Sequence, residues 1–334
     1  MLKVGGFLAR AVLALMLLLA GAWSFGAIFY QGPQQPHALR IALAASSALA
    51  FAAAAVALLL YRSRVAHWAA VAGLGALLIG WWSTIVPAEH KDWAPDVARL
   101  PVIRIEGDNI TVENVRDFDW TGADAAKPHW ETRRYHLSNL ESLDLFTSVW
   151  GNPNIAHVFL SFGFKGEGQL AMSVEVRRVN GEIYDPIASA FRKDNLVLVA
   201  ADEADVAKVR ANFRGETVSL YRLAAKPPRV RAFFEQYVGL ARRLIEAPMF
   251  YNTLTTNCTT TDVILARHVV GDALPLDWRI LVSGRLPDYL YDLGSISRAK
   301  PLAETKQGAV ITELSKEAGD LRGEPYSDFI RRRF

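Results

Sequence analysis

The sequence has a single cysteine, Cys258, among 334 residues, so no disulfide can close within the chain. It lacks formal charge over three long stretches, 11–39, 41–61 and 65–88. Apart from Lys3, Arg10, Arg40, Arg62 and Arg64, every Lys, Arg, Asp and Glu lies at or after Glu89. It also lacks a basic stripe interleaved with aromatics, which sets nucleic acid aside as a partner. A net charge of +3 over such a chain favours no other anionic partner. No cluster of His, Cys, Asp and Glu has metal-ligand spacing, so neither a metal nor another cofactor is expected. There is no internal repeat of the kind that builds solenoids or propellers.

What fills the uncharged stretches is apolar sequence at 7–30, 38–61 and 66–86. Each run has about 20 residues, the length a helix needs to cross a hydrocarbon core of about 30 Å. The first is longer than the apolar part of a signal peptide and two more follow directly, so it reads as a span and not as a cleaved signal. Gly32, Pro33 and Pro36 break the helix between spans one and two. Gly73, Gly75 and Gly80, with the alanines of span two, either allow close helix packing or are filler. Lys3 and Arg10 before span one, and Arg62 and Arg64 between spans two and three, put those segments in the cytoplasm. Three spans then leave the remainder outside, with Trp81 and Trp82 at the exit. The expected organisation is a three-helix anchor over 1–88 and an extracytoplasmic domain over 89–334.

That outer domain reads as α+β with a mainly antiparallel sheet. Strands are expected at 102–106, 110–115, 133–137, 143–150, 156–164, 170–178, 196–200 and 217–223. Asn180-Gly181 has the composition of a tight hairpin turn. A charged helix is expected at 202–212. An amphipathic one is expected at 227–246, where Val230, Phe233, Phe234, Tyr237, Leu240, Ala241 and Leu244 recur at helical spacing. The tail from 276 to 334 gives only short, weak signals.

A lone thiol outside the cytoplasm is either a packed small hydrophobe or a reactive group. Thr255, Thr256 and Asn257 are helix-capping types, and Val263, Ile264 and Leu265 continue an apolar face. Cys258 therefore falls in the first turn of a helix. There the unpaired N–H groups favour a thiolate and can cradle an oxyanion. A thiol nucleophile needs a base. Of the seven histidines, His37, His67 and His90 lie by the membrane spans. His129 and His136 sit in a polar stretch, and His268 lies too far along the cysteine's own helix. His157 opens a strand. The next strand carries Ser173, Glu175 and Arg177 on one face and Val174 and Val176 on the other. Glu175 either orients His157 or pairs with an arginine such as Arg177 or Arg192. His157 and Glu175 share a face only if the intervening turn has an odd number of residues.

These residues carry a family resemblance. Trp130-Glu-Thr-Arg-Arg-Tyr135, Ala156-His-Val-Phe-Leu-Ser-Phe-Gly-Phe164, Met172-Ser-Val-Glu-Val-Arg-Arg178, Asn212-Phe-Arg-Gly215 and Tyr251-Asn-Thr-Leu-Thr-Thr-Asn-Cys-Thr259 come in an order and spacing that resemble the Lnb-type lipoprotein N-acyltransferases. The resemblance runs from about residue 101 to 268. It implies a periplasmic thiol acyltransferase anchored in a bacterial inner membrane, acting on a membrane lipid or lipoprotein. In the family an acyl chain moves from the glycerol ester to the α-amine of the lipoprotein's terminal cysteine. It further implies Cys258 as nucleophile, His157 as base, Ser173 and Glu175 as supporting residues and Asn257 as a candidate oxyanion donor. The His-before-Cys order is similar to circularly permuted papain-like thiol enzymes. Two other readings stay open: a thiol hydrolase that uses water in place of the amine, and a non-enzymatic binding module with Cys258 merely packed.

Overall fold

The computed structural model describes residues 2–60 and 65–333. Arg62 and Arg64, on which the expected orientation partly rests, lie outside the described residues. The chain divides into two compact units. One comprises Met1–Ala88 with Asp185–Asp194, and the other comprises Glu89–Tyr184 with Asn195–Phe334.

The first unit is built on α1 (Leu2–Gln31), α2 (His37–Leu60) and α3 (Val65–Ser83). Within them, Phe7–Gln31 and His37–Leu60 are long and apolar enough to cross a membrane. Over its described residues the apolar part of the third helix, Trp68–Ser83, is shorter than those two. Leu19, Leu49 and Leu77 are each more than 60 % exposed, as lipid-facing side chains would be. Close helix contact falls on α1 and not on the glycines of α3. A Cβ at Gly21 would lie 3.1 Å from the Phe51 side chain, whereas Gly73, Gly75 and Gly80 face open space and are filler. Ser47 Oγ donates to Ser24 Oγ at 2.9 Å where α1 and α2 meet.

The segment Asp185–Asp194 contains α4 (Pro186–Ala190), capped by the Asp185 carboxylate, which accepts from the Ile187 and Ala188 N–H groups. The Phe191 ring sits against Gly26, where any Cβ would collide with it at 2.2 Å. It also stacks on Tyr30 at 5.5 Å, and Gln31 Nε2 donates to its carbonyl. The Arg192 guanidinium lies 4.5 Å from the centre of the Trp82 ring. A connection between two strands of the sheet domain is thus packed among the apolar helices. Asn180-Gly181 does form a turn, with Gly181 at φ +77°. It does not close a tight hairpin, because the pairing of the flanking strands begins only at Arg177 and Asn195, and the long segment between them carries α4.

The second unit is α+β. Its strands are β1 (Val102–Glu106), β2 (Asn109–Arg116), β3 (Asp119–Trp120), β4 (Ala126–Lys127), β5 (Trp130–His136), β6 (Leu140–Val149), β7 (Ala156–Phe164), β8 (Gly168–Arg177), β9 (Asn195–Ala201) and β10 (Thr217–Arg222). The main sheet runs β1-β2-β9-β8-β7-β6-β10, with β5 also on β2. Every pairing is antiparallel except a short parallel bridge between Arg116 and Ala201.

Alternation along the strands builds a core on each face. On one face Val158, Leu160, Phe162, Met172 and Val174 pack under α6 (Pro227–Glu246) and α7 (Cys258–Val270). On the other, Phe159, Ala171, Val197 and Val199 pack under α5 (Glu203–Lys208) and the π-turn Val209–Phe213.

Beyond α7 come α8 (Leu286–Asp292), α9 (Leu302–Ala309), α10 (Thr312–Glu317) and α11 (Gly323–Arg331). This tail is part of the core. Ile311, Leu314, Tyr326 and Ile330 are buried, and Arg331 bonds to both Asp144 and Glu203.

Candidate active site

The β7–β8 ladder is short. It joins Leu160–Phe164 to Gly168–Met172 around a turn of three residues, Lys165, Gly166 and Glu167. The odd count puts residues of like parity on one face, so His157, Ser173 and Glu175 point the same way. Beyond Leu160 and Met172 the strands part, as β7 continues on β6 and β8 on β9. The result is a fork.

His157 Nε2 lies 2.8 Å from Ser173 Oγ across that fork. Ser173 Oγ in turn donates to Glu175 Oε1 at 2.9 Å. A hydroxyl has one proton, so with Ser173 donating to Glu175 the imidazole must carry its own proton on Nε2. Nδ1 is then the basic nitrogen, and no hydrogen bond among the described residues occupies it. Glu175 also receives Arg210 Nη2 at 3.3 Å. Its partner is therefore neither Arg177, which bonds to the Val97 and Ala98 carbonyls, nor Arg192, which packs with the apolar helices. Arg210 comes from the π-turn just ahead of the Asn212–Gly215 motif.

Cys258 enters the fork from the other element. It is the first residue of α7, and Asn257 caps that helix reciprocally. Asn257 Oδ1 accepts from the Thr260 N–H, while Thr260 Oγ1 accepts from the Asn257 N–H. Among the described residues no hydrogen bond takes the Cys258 N–H. The other arm of the Asn257 amide donates to the Thr253 carbonyl at 2.7 Å, so its donor is committed to the loop and not directed at an oxyanion. The backbone N–H of Val158, the residue after His157, lies near Cys258 Sγ and favours its thiolate. Where β7 has lost β8 as a partner, its free N–H meets the thiol.

Electrostatics leave this pair neutral. Burial pushes the Cys258 thiol up, against the opposing pull of the Val158 N–H. Burial, reinforced by the positive charge of Arg210, lowers His157 to about 3. Glu175 resists its burial, because the guanidinium charges of Arg210 and Arg116 hold it well below the usual carboxylate range. Arg116 is itself buried, donating through Nε and Nη2 to Asp205. The resting state is thiol and imidazole, with an ionised carboxylate behind the serine.

A second buried acid lies one turn beyond the thiol. Asp262 accepts from Tyr237 Oη at 2.5 Å, while its other oxygen has no partner. Burial raises it to about 8. Sequence reasoning did not single out Asp262, Arg210, Arg116 or Asp205. For Asp262 a signal was present, since an acid four residues after a helix-opening cysteine lies on the same face. The three others come together only through tertiary structure. Asp117, His129 and Glu131 have ligand atoms close enough to share a metal ion. Arg322 and Arg133, however, already pair with the two carboxylates.

Residues 126–284 match the family model of the Lnb N-terminal periplasmic domain. No curated protein and no solved structure matches the chain. The matched segment spans β4 to the start of the tail and includes His157, Ser173, Glu175 and Cys258. Behind its N-terminal apolar helices, the chain is thus similar to the Lnb N-terminal periplasmic domain over residues 126–284.

Proposed function

We propose that this protein is a membrane-anchored thiol acyltransferase. It moves an acyl chain from a lipid glycerol ester, through a thioester on Cys258, to the N-terminal amine of a bacterial lipoprotein. The observation that supports this reading is that Cys258, opening α7, lies against the Val158 N–H, one residue from His157, whose imidazole is linked through Ser173 to Glu175 and Arg210.

His157 Nδ1 takes the thiol proton as Sγ attacks the ester carbonyl. The imidazolium formed is stabilised through Ser173 by ionised Glu175. The oxyanion is met by the unused Cys258 N–H at the start of a 13-residue helix. The C–O bond breaks and the alcohol leaves with the proton from His157. The lipoprotein amine then attacks the thioester carbonyl. The C–N bond forms, the C–S bond breaks, and the thiol is restored. Ester to thioester to amide needs no nucleotide or metal. The apolar helices keep the enzyme with a substrate that cannot leave the membrane. In this reading they form a three-span anchor with a cytoplasmic N-terminus. The helix-borne cysteine packed on a histidine-bearing antiparallel sheet also fits the permuted papain-like arrangement.

The test is mass spectrometry of a lipoprotein's N-terminal peptide from a host lacking other N-acylating enzymes. An N-acylated lyso-form is expected with the wild-type chain and not with Cys258→Ala. A free-amine diacylglyceryl form in both, at normal expression, would contradict the transferase reading. Release of free fatty acid only with intact Cys258 would identify a hydrolase.

A further inference from the structure

A cavity of about 160 Å³ lies under α7 on the face of the sheet that carries α6. Leu145 and Leu160 floor it, Phe233 and Val263 wall it, and Leu286 and Leu290 of α8 close its far side. Its position follows from two elements that diverge from the thiol. The Cys258–Val158 contact is one point on both α7 and β7. Four residues along α7, a rise of about 6 Å, is Asp262. Two residues along β7, about 7 Å, is Leu160. Both line the cavity. From Asp262 to Val270 the lining follows α7 for about 12 Å. Apart from Asp262, Arg229 and Ser295 the lining side chains are apolar, so the space can accept hydrocarbon.

Asp262 is the one acid in the lining, 6 % exposed, with one carboxyl oxygen unpaired. Tyr237 fixes the other oxygen, and burial keeps the group protonated to about pH 8. An ionised acid would repel an alkyl chain by demanding water. A neutral one presents the chain with only a small polar group.

We infer that this cavity seats the tail of the acyl chain, a saturated alkyl group whose carbonyl lies at Cys258. The inference rests on the thiol acyltransferase reading for its biological meaning. Its physical content, an alkyl site continuous with the thiol, can be tested without acyl transfer.

The full chain in lipid nanodiscs is treated with alkyl methanethiosulfonates from methyl to decyl, and modification of Cys258 is followed by intact mass. Thiolate attack forms the mixed disulfide and releases sulfinate, so only the alkyl group varies. Two variants fill the cavity from opposite sides, Ala266→Phe on α7 and Leu290→Trp on α8. Partition of long reagents into the bilayer affects all three proteins equally and cancels in the comparison. The methyl rate reports whether the fork is intact. The decyl-to-methyl rate ratio is expected to be at least about tenfold higher in the wild type than in either variant, since each buried methylene contributes about fourfold (about 0.8 kcal/mol). Equal ratios in all three proteins would overturn the inference. Absence of N-acylated lipoprotein in cells, with the ratio difference intact, would count against the transferase reading alone.

Discussion

Glu175 and Asp262 are two buried acids of one domain, on opposite faces of one sheet, and they carry opposite charge states. Glu175 faces Arg210 and, through Ser173, His157, and is held ionised. Asp262 faces leucine, valine and a tyrosine hydroxyl, and burial raises it to about 8. Depth does not separate them. What differs is whether a cation acts on the carboxylate: Arg210 and Arg116 do at Glu175, while Asp262 has only burial and the Tyr237 hydroxyl. The contrast divides the domain by task. One face carries ionised groups and can move a proton, while the other is lined mostly by apolar side chains, with the exposed Arg229 at its edge, and can take hydrocarbon. Cys258 stands where the two meet, at a fork that exists because β7 and β8 stop pairing after Leu160 and Met172.

The largest break in this contrast comes from Arg210→Met, which makes the surroundings of Glu175 resemble those of Asp262. A buried carboxylate left without its cation costs about 3–5 kcal/mol. A corresponding drop is expected in thermal unfolding of the full chain. With the repelling cation gone, His157 should also titrate at higher pH.

Asp262→Asn sharpens the contrast from the other side. Asp262 binds its proton more tightly folded, at about 8, than unfolded, near 4. The wild type therefore loses stability as pH rises from about 4 through 8, by up to about 3 kcal/mol after allowance for relaxation around the buried group. The variant accepts the same Tyr237 hydrogen bond but has nothing to titrate. Its stability should exceed that of the wild type increasingly across this window and run parallel above it.

Ser173→Ala has a smaller effect. It removes the relay between His157 and Glu175 and frees the imidazole tautomer, for about 1–2 kcal/mol. Acyl transfer should fall about tenfold, with unfolding nearly unchanged. Alkylation of Cys258 by iodoacetamide reads the neutral pair directly. Its rate should climb through pH 9 and beyond, because burial raises the thiol. A plateau from pH 5 to 8 would reveal a preformed thiolate–imidazolium pair.

Much of this was legible in the sequence. The helix at Pro227–Glu246 and the helix opened by Cys258 form where apolar spacing and capping residues put them. Local chemistry sets both. His157 and Glu175 could be paired only by register, and register hung on the three-residue turn around Gly166. Arg210 was invisible as the partner of Glu175, because a π-turn 35 residues away delivers it. Asn180-Gly181 misled for the opposite reason. Its turn is real, but the chain next enters α4 and Phe191 packs on Gly26 and Tyr30, a tertiary contact that no local signal announces. The tail read as weak because its helices are short. Tyr326 and Ile330, one turn apart on the last short helix, pack into the core, and Arg331 ties that helix to Asp144.

The central claim is that Cys258 carries the acyl group and His157 draws off its proton. The most direct test is the mass of the Cys258 peptide after the full chain has met a diacylglyceryl lipopeptide whose α-amine is blocked, so that the second step cannot proceed. A hydroxylamine-labile acyl adduct on Cys258 is expected in the wild type, slowed by about 10²–10⁴-fold in His157→Gln. No adduct on Cys258, from an enzyme that N-acylates the unblocked lipopeptide, would contradict the mechanism.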